Sequence, residues 1–129
     1  MDLGSKHFVL FLLLASLGSC QLRNPPQVKD GKLDLRGWDW NEKGVVKLRG
    51  EWEFYWNELL GSQELAPGTS PPQYIPVPSV WNDYVYDGQE LAGSGYATYR
   101  LTVLTDPGAD KALRLMSAAS ALRVLVNGE

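Results

Sequence analysis

Few side chains in this 129-residue sequence have the types and spacing to do chemistry. Glu51 and Glu53 stand two apart in Gly50-Glu51-Trp52-Glu53-Phe54-Tyr55-Trp56. On a strand that spacing puts both carboxylates on one face about 7 Å apart, a separation compatible with the acid and base of a glycosidase. Such work also needs an environment that raises one carboxyl pKa. These two flank Trp52 on the face expected to meet solvent, so no catalysis is expected of them. Asp83, Asp87 and Glu90 could reach a calcium ion, but their spacing matches no calcium loop. Cys20 is the only cysteine and His7 the only histidine. Loss of a leader carrying His7 leaves no histidine and no second thiol for a zinc site or a Ser-His or Cys-His pair. The chain is therefore read as having no catalytic residues, no metal and no cofactor, and as not being an enzyme. Trp81, Tyr99 and Arg100 remain as candidate ligand contacts, because tryptophan and arginine together stack on sugars and pair with carboxylates. The structural alternative is that the rings close one end of the fold while Arg100 pairs with Glu51 or Glu53 across a sheet.

The amino terminus carries Lys6 and then an apolar run over residues 8–17. A membrane-crossing helix needs roughly 20 apolar residues, so this run is expected to be the core of a cleaved signal peptide over residues 1–19. Leu17-Gly18-Ser19-Cys20 resembles the bacterial lipobox. That resemblance implies a diacylglycerol on Cys20. Each buried methylene of an acyl chain contributes about 0.8 kcal/mol, so two chains hold where one does not. Ordinary cleavage with an incidental thiol is the alternative. Either way the chain is expected to be exported, on the periplasmic or extracellular side. With one cysteine it has no internal disulfide, and apolar burial must hold the fold.

The elements that position these residues are read from alternation and turn residues. The net charge is −3, and lysine and arginine are interspersed with acids rather than clustered, which argues against a nucleic-acid partner. Residues 20–31, with Pro25-Pro26, read as lipid attachment and an extended tether. Residues 32–129 read as the folded domain. Period-two alternation predicts strands over residues 32–36, 45–49, 50–56, 97–104, 112–116 and 122–126. In the third of these Trp52, Phe54 and Trp56 share one face, read as core with a carbohydrate-stacking platform as the alternative, and Glu51, Glu53 and Tyr55 share the other. Residues 57–65 could turn helically. Tyr74-Ile75-Pro76-Val77-Pro78 suits an edge crossing, and residues 82–96 read as a long glycine-rich loop. Asn127-Gly128 after an alternating strand is a strong hairpin signal. Its returning strand is absent from the sequence, so the chain is expected to be a fragment cut after a strand. The fold class expected is all-β, an antiparallel β-sandwich.

Four motifs occur in order: Gly50-Glu51-Trp52-Glu53-Phe54-Tyr55-Trp56, Ile75-Pro76-Val77-Pro78-Ser79-Val80-Trp81, Gly95-Tyr96-Ala97-Thr98-Tyr99-Arg100 and Val126-Asn127-Gly128. Together they resemble the extracytoplasmic jelly-roll domain of bacterial seven-transmembrane receptors with diverse intracellular signalling modules, over about residues 33–129. Ser79-Val80 departs from that pattern, where a Gly-Ser pair before the tryptophan is commoner. The resemblance implies a galactose-binding-like jelly roll and a role in ligand sensing, for a small molecule or carbohydrate. It also implies downstream transmembrane helices and a cyclase, kinase or phosphatase output in the parent protein. More distantly the motifs resemble the amino-terminal jelly roll of family 2 glycoside hydrolases. A free-standing lipoprotein binding module is the third reading. Membrane attachment through Cys20 or through downstream helices is expected in the first.

Overall fold

The computed structural model describes residues 24–61, 71–108, 110–116 and 120–129. The leader read over residues 1–19 and the lipid site at Cys20 lie outside the described residues. The fold is all-β. In chain order come β1 (Lys32–Asp34), α1 (Trp40–Lys43), β2 (Gly50–Trp56), β3 (Gln73–Val77), β4 (Val85–Tyr86), β5 (Gln89–Glu90), β6 (Ala97–Arg100) and β7 (Thr102–Leu104). α1 is a single turn, capped by the Asp39 carboxylate, which accepts from the amides of Asn41 and Glu42.

β2 is the centre of a three-stranded antiparallel sheet in the order β3-β2-β6. Its register sets Glu51 opposite Pro76 and Trp52 opposite Ile75 on one side, and Glu53 opposite Arg100 and Phe54 opposite Tyr99 on the other. β3 takes the edge, which suits Pro76 within it. The Val77-Pro78 peptide is cis, and the Ser79 hydroxyl donates to the Pro76 carbonyl.

The run 97–104, expected as one strand, is shared between two sheets. β6 pairs with β2, and after Leu101 the chain continues as β7, which runs parallel to β1 with Leu33 opposite Val103. The stretch 82–96, expected as a loop, contains a 3-10 turn at Trp81–Asp83 and the β4-β5 hairpin. Asp87 at φ 50° and Gly88 at φ 78° supply the two positive angles that a two-residue type I′ turn needs. Asn127 and Gly128, at φ 52° and 95°, do the same. Val126 and Glu129 exchange both backbone hydrogen bonds across that turn, at 2.7 and 3.1 Å.

Three expected strands are not formed. Residues 45–49 carry no strand, although Val46 and Leu48 are half-buried against the core. Residues 112–116 and 122–126 carry no ladder, and Leu113, Leu115, Leu122 and Val124 are exposed. Alternation selects a buried face, but a ladder also needs a neighbouring backbone to pair with, and none of the described residues supplies one. Residues 57–61 are not helical, and Asn57 leaves β2 at φ 56°.

The core has two parts. Val28, Leu33 and Leu35 form one, with Trp38, Trp52 and Leu101 packed against them. Phe54, Ile75 and Leu91 form the other, with Trp56, Trp81, Tyr84 and Tyr86 around them. Val28 lies in the segment read as tether, yet it is 3% exposed and bridges in parallel to Gly50. Packing therefore begins at Val28, four residues before the expected boundary.

Candidate ligand-binding face

Phe54 is fully buried at the middle of β2 and sets the position of four other rings. Trp56 stacks beside it at 6.0 Å between centroids, and Tyr99 and Tyr86 present edges to it at 5.1 and 6.1 Å. Trp81, carried by the 3-10 turn, meets Trp56 edge-on at 5.3 Å. Such offset and perpendicular contacts are favourable beyond their burial by about 0.5–1.5 kcal/mol each. Gly95 makes room for the Trp56 indole, since a Cβ there would stand 2.7 Å from the ring's Cζ2. The Tyr84 hydroxyl donates to the Pro76 carbonyl at 2.9 Å and touches the Ser79 hydroxyl, tying the cluster to the edge of β3. Burial pushes the Tyr99 phenol above its usual pKa, with a smaller push from Tyr84. Trp56, Trp81, Tyr84 and Tyr86 remain only half-buried, and Tyr96 and Tyr99 are exposed. The result is a set of rings on a rigid sheet that keeps partial access to solvent.

Arg100 occupies the opposite face of β6. Its Nε lies 3.5 Å from Glu53 Oε2, and the Tyr55 hydroxyl donates to the same oxygen at 3.1 Å. Of the two glutamates weighed as its partner, Glu53 is therefore the one engaged. Glu51 stays exposed. The face expected to be solvated is covered at Glu53, which is 8% exposed, and at Tyr55. The covering is non-local. The Asp30-Gly31 turn lies on Glu53, with the Gly31 amide donating to the Glu51 carbonyl at 2.9 Å and a Cβ on Gly31 falling 2.5 Å from Glu53 Cγ. Beside Tyr55, the Thr98 hydroxyl donates to the Glu58 carbonyl and accepts from the Leu60 amide, folding residues 58–60 back over the sheet. Burial pushes the Tyr55 phenol up, reinforced by its hydrogen bond to Glu53.

Of the three candidate contacts, Trp81 and Tyr99 thus share the Phe54 side, while Arg100 is held across the sheet from them. Sequence reasoning set Trp56 beside Phe54 on one strand face but passed over Tyr84 and Tyr86 as members of the cluster. The Asp87-Gly88 turn signal was present and could have placed Tyr86 on a hairpin. Asp83, Asp87 and Glu90 are all exposed, and the described residues contain no group of three or more acids, cysteines or histidines placed to hold a metal. No described helix is long and apolar enough to cross a membrane. Comparison with family models, curated proteins and solved structures finds no match to this chain.

Proposed function

We propose that this chain is the extracytoplasmic ligand-binding part of a membrane signal-transduction receptor, built as a galactose-binding-like jelly roll and attached through a lipidated Cys20. The observation that carries the reading is the half-open ring cluster around Phe54, with Trp81 and Trp56 perpendicular at 5.3 Å and Tyr99 at its margin. Ligand sites are mostly apolar and aromatic, with a few polar groups that fix orientation. Partly exposed rings on a fixed sheet suit the apolar faces of a carbohydrate, and the Tyr84 and Tyr99 hydroxyls are within the same cluster. Signalling then requires that the ligand bind one of two receptor states more tightly. No catalytic step is assigned to the chain.

The test is a fluorescence titration of the protein with a panel of mono- and oligosaccharides. A binder should quench or shift the tryptophan emission, and Trp81→Ala should raise its Kd at least tenfold. A panel without a single saturable response, or a binder indifferent to Trp81→Ala, would remove the carbohydrate reading. Receptor attachment is tested separately by sequencing the reading frame beyond codon 129. Several apolar runs of roughly 20 residues support it, and a long soluble barrel pattern supports the hydrolase alternative instead.

A further inference from the structure

We infer that the surface formed by Trp38, Trp40, Lys43 and Val45 is a membrane-docking face that lies in the lipid headgroup layer. The inference rests on the proposed acylation of Cys20. Asn24, Pro25 and Pro26 line an open groove together with Asp34, Arg36, Trp38 and Lys43. Asn24 is four residues from Cys20. Four residues of chain reach at most about 14 Å, so an acylated Cys20 keeps Asn24, and with it the groove, within that distance of the anchor whatever path the intervening residues take. The headgroup layer is itself about 5–8 Å deep on each side.

The side chains that would meet it have the chemistry of that layer. Trp40 is 41% exposed at the start of α1, and Val45 is 89% exposed just past its end. Trp38 is half-buried, with its indole nitrogen donating to the Gly44 carbonyl and the Lys43 ammonium 5.0 Å above its ring. Tryptophan concentrates at membrane interfaces, where an apolar ring and a polar edge are both satisfied, and lysine reaches from there toward phosphate. Between residues 34 and 47 the basic residues Arg36, Lys43 and Lys47 are matched by Asp34, Asp39 and Glu42. A segment whose charges balance gains little from an anionic bilayer beyond the contact of Lys43. Docking is therefore driven by the rings and Val45, and it should respond little to anionic lipid or salt.

The test couples the chain from Cys20 onward, which retains every residue described, through its only thiol to a maleimide-headgroup lipid in phosphatidylethanolamine–phosphatidylglycerol vesicles with brominated acyl chains. This tether makes the result independent of cellular acylation. Mass spectrometry of the exported protein's amino terminus reads acylation separately, and an unmodified Cys20 there ends the anchoring proposal and with it this one. On the vesicles, tryptophan emission should be quenched relative to unbrominated lipid, equally at low and high phosphatidylglycerol content. Val45→Glu keeps all the tryptophans and disturbs a side chain with almost no contacts, and it should at least halve the quenching. Trp40→Phe should lower it as well. Quenching that is absent, or unchanged in Val45→Glu, overturns the inference even where Cys20 is acylated.

Discussion

Gly50→Ala should detach the amino-terminal segment from the fold. Gly50 adopts φ 131°, in a region open essentially to glycine alone, and a Cβ there would overlap the Val28 carbonyl oxygen and stand 2.8 Å from the Val28 nitrogen. The obstacle is backbone, which cannot rotate aside as a side chain can. The dihedral alone costs about 1–3 kcal/mol. Relieving the overlap breaks the bonds from the Val28 amide to the Arg49 carbonyl at 2.8 Å and from the Glu51 amide to the Val28 carbonyl at 3.0 Å, about 0.5–1.5 kcal/mol each. It also exposes Val28, at about 1.5–3 kcal/mol. Because strain and detachment are alternatives in part, the expected loss is about 3–5 kcal/mol rather than the full sum. Gly37→Ala is the internal control: its φ is 70°, but nothing lies within 4 Å of the added methyl, so only about 1–2 kcal/mol is expected. Urea denaturation followed by tryptophan fluorescence gives both values, and limited proteolysis should cut Gly50→Ala first near residues 24–29. A Gly50→Ala unfolding free energy within about 1 kcal/mol of that of Gly37→Ala would refute the claim that Val28 is pinned by this close approach.

The Glu53–Arg100 pair should be asymmetric under mutation. Arg100→Met leaves a buried carboxylate with the Tyr55 hydroxyl as its remaining described partner and should cost about 1.5–3 kcal/mol, whereas Glu53→Gln leaves a guanidinium that reaches water and should cost about 1 kcal/mol. Equal losses in thermal or urea unfolding would show that Glu53 is not effectively desolvated. Asp34 is held at a pKa of about 2 by hydrogen bonds from the Arg36 side chain and amide. Since that lies below its ordinary 3.8, the ionised form favours the fold, and its small contribution is present above pH 3.8 and lost as pH falls toward 2. NMR titration of the Asp34 carboxyl should find that low value, and Arg36→Gln should move it back toward 3.8. Tyr55, raised above 10.0, has the opposite sign: its contribution is complete below pH 10 and lost as pH climbs through the folded-state value. Ultraviolet titration should show two tyrosinates fewer forming near pH 10 in native protein than in urea, since Tyr99 is raised as well, and Tyr55→Phe should remove the share that belongs to Tyr55.

β2 was legible because three large rings at period two leave one solution for its core face, and Phe54 is indeed fully buried. Its polar face was not. Nothing within residues 50–56 reports that the Asp30-Gly31 turn and residues 58–60 lie over Glu53 and Tyr55. The division of residues 97–104 was equally hidden, since alternation runs unbroken through Leu101 and only the change of ladder partner marks the boundary. Arg100 could be matched in advance only to Glu51 or Glu53, both on the polar side of β2, and the register of the ladder is what selects Glu53. The β4-β5 hairpin was readable in Asp87-Gly88 and was obscured by the glycines around it. At residues 112–116 and 122–126 propensity was present and pairing was not, which separates what a strand prefers from what a sheet supplies.

Leu101 gives the molecule an inflexible mechanical link. A single residue spans about 3.8 Å between successive Cα atoms, leaving no slack between the ladder at Arg100 and the next at Thr102. A displacement of Tyr99 along β2 is therefore transmitted to Val103 and, through it, to Leu33. Thr102 is further fastened by its amide to the Gly31 carbonyl at 2.8 Å. The sheet that carries the Phe54 ring cluster and the β1 ladder are thus joined through one residue of backbone, with no loop between them to absorb a shift.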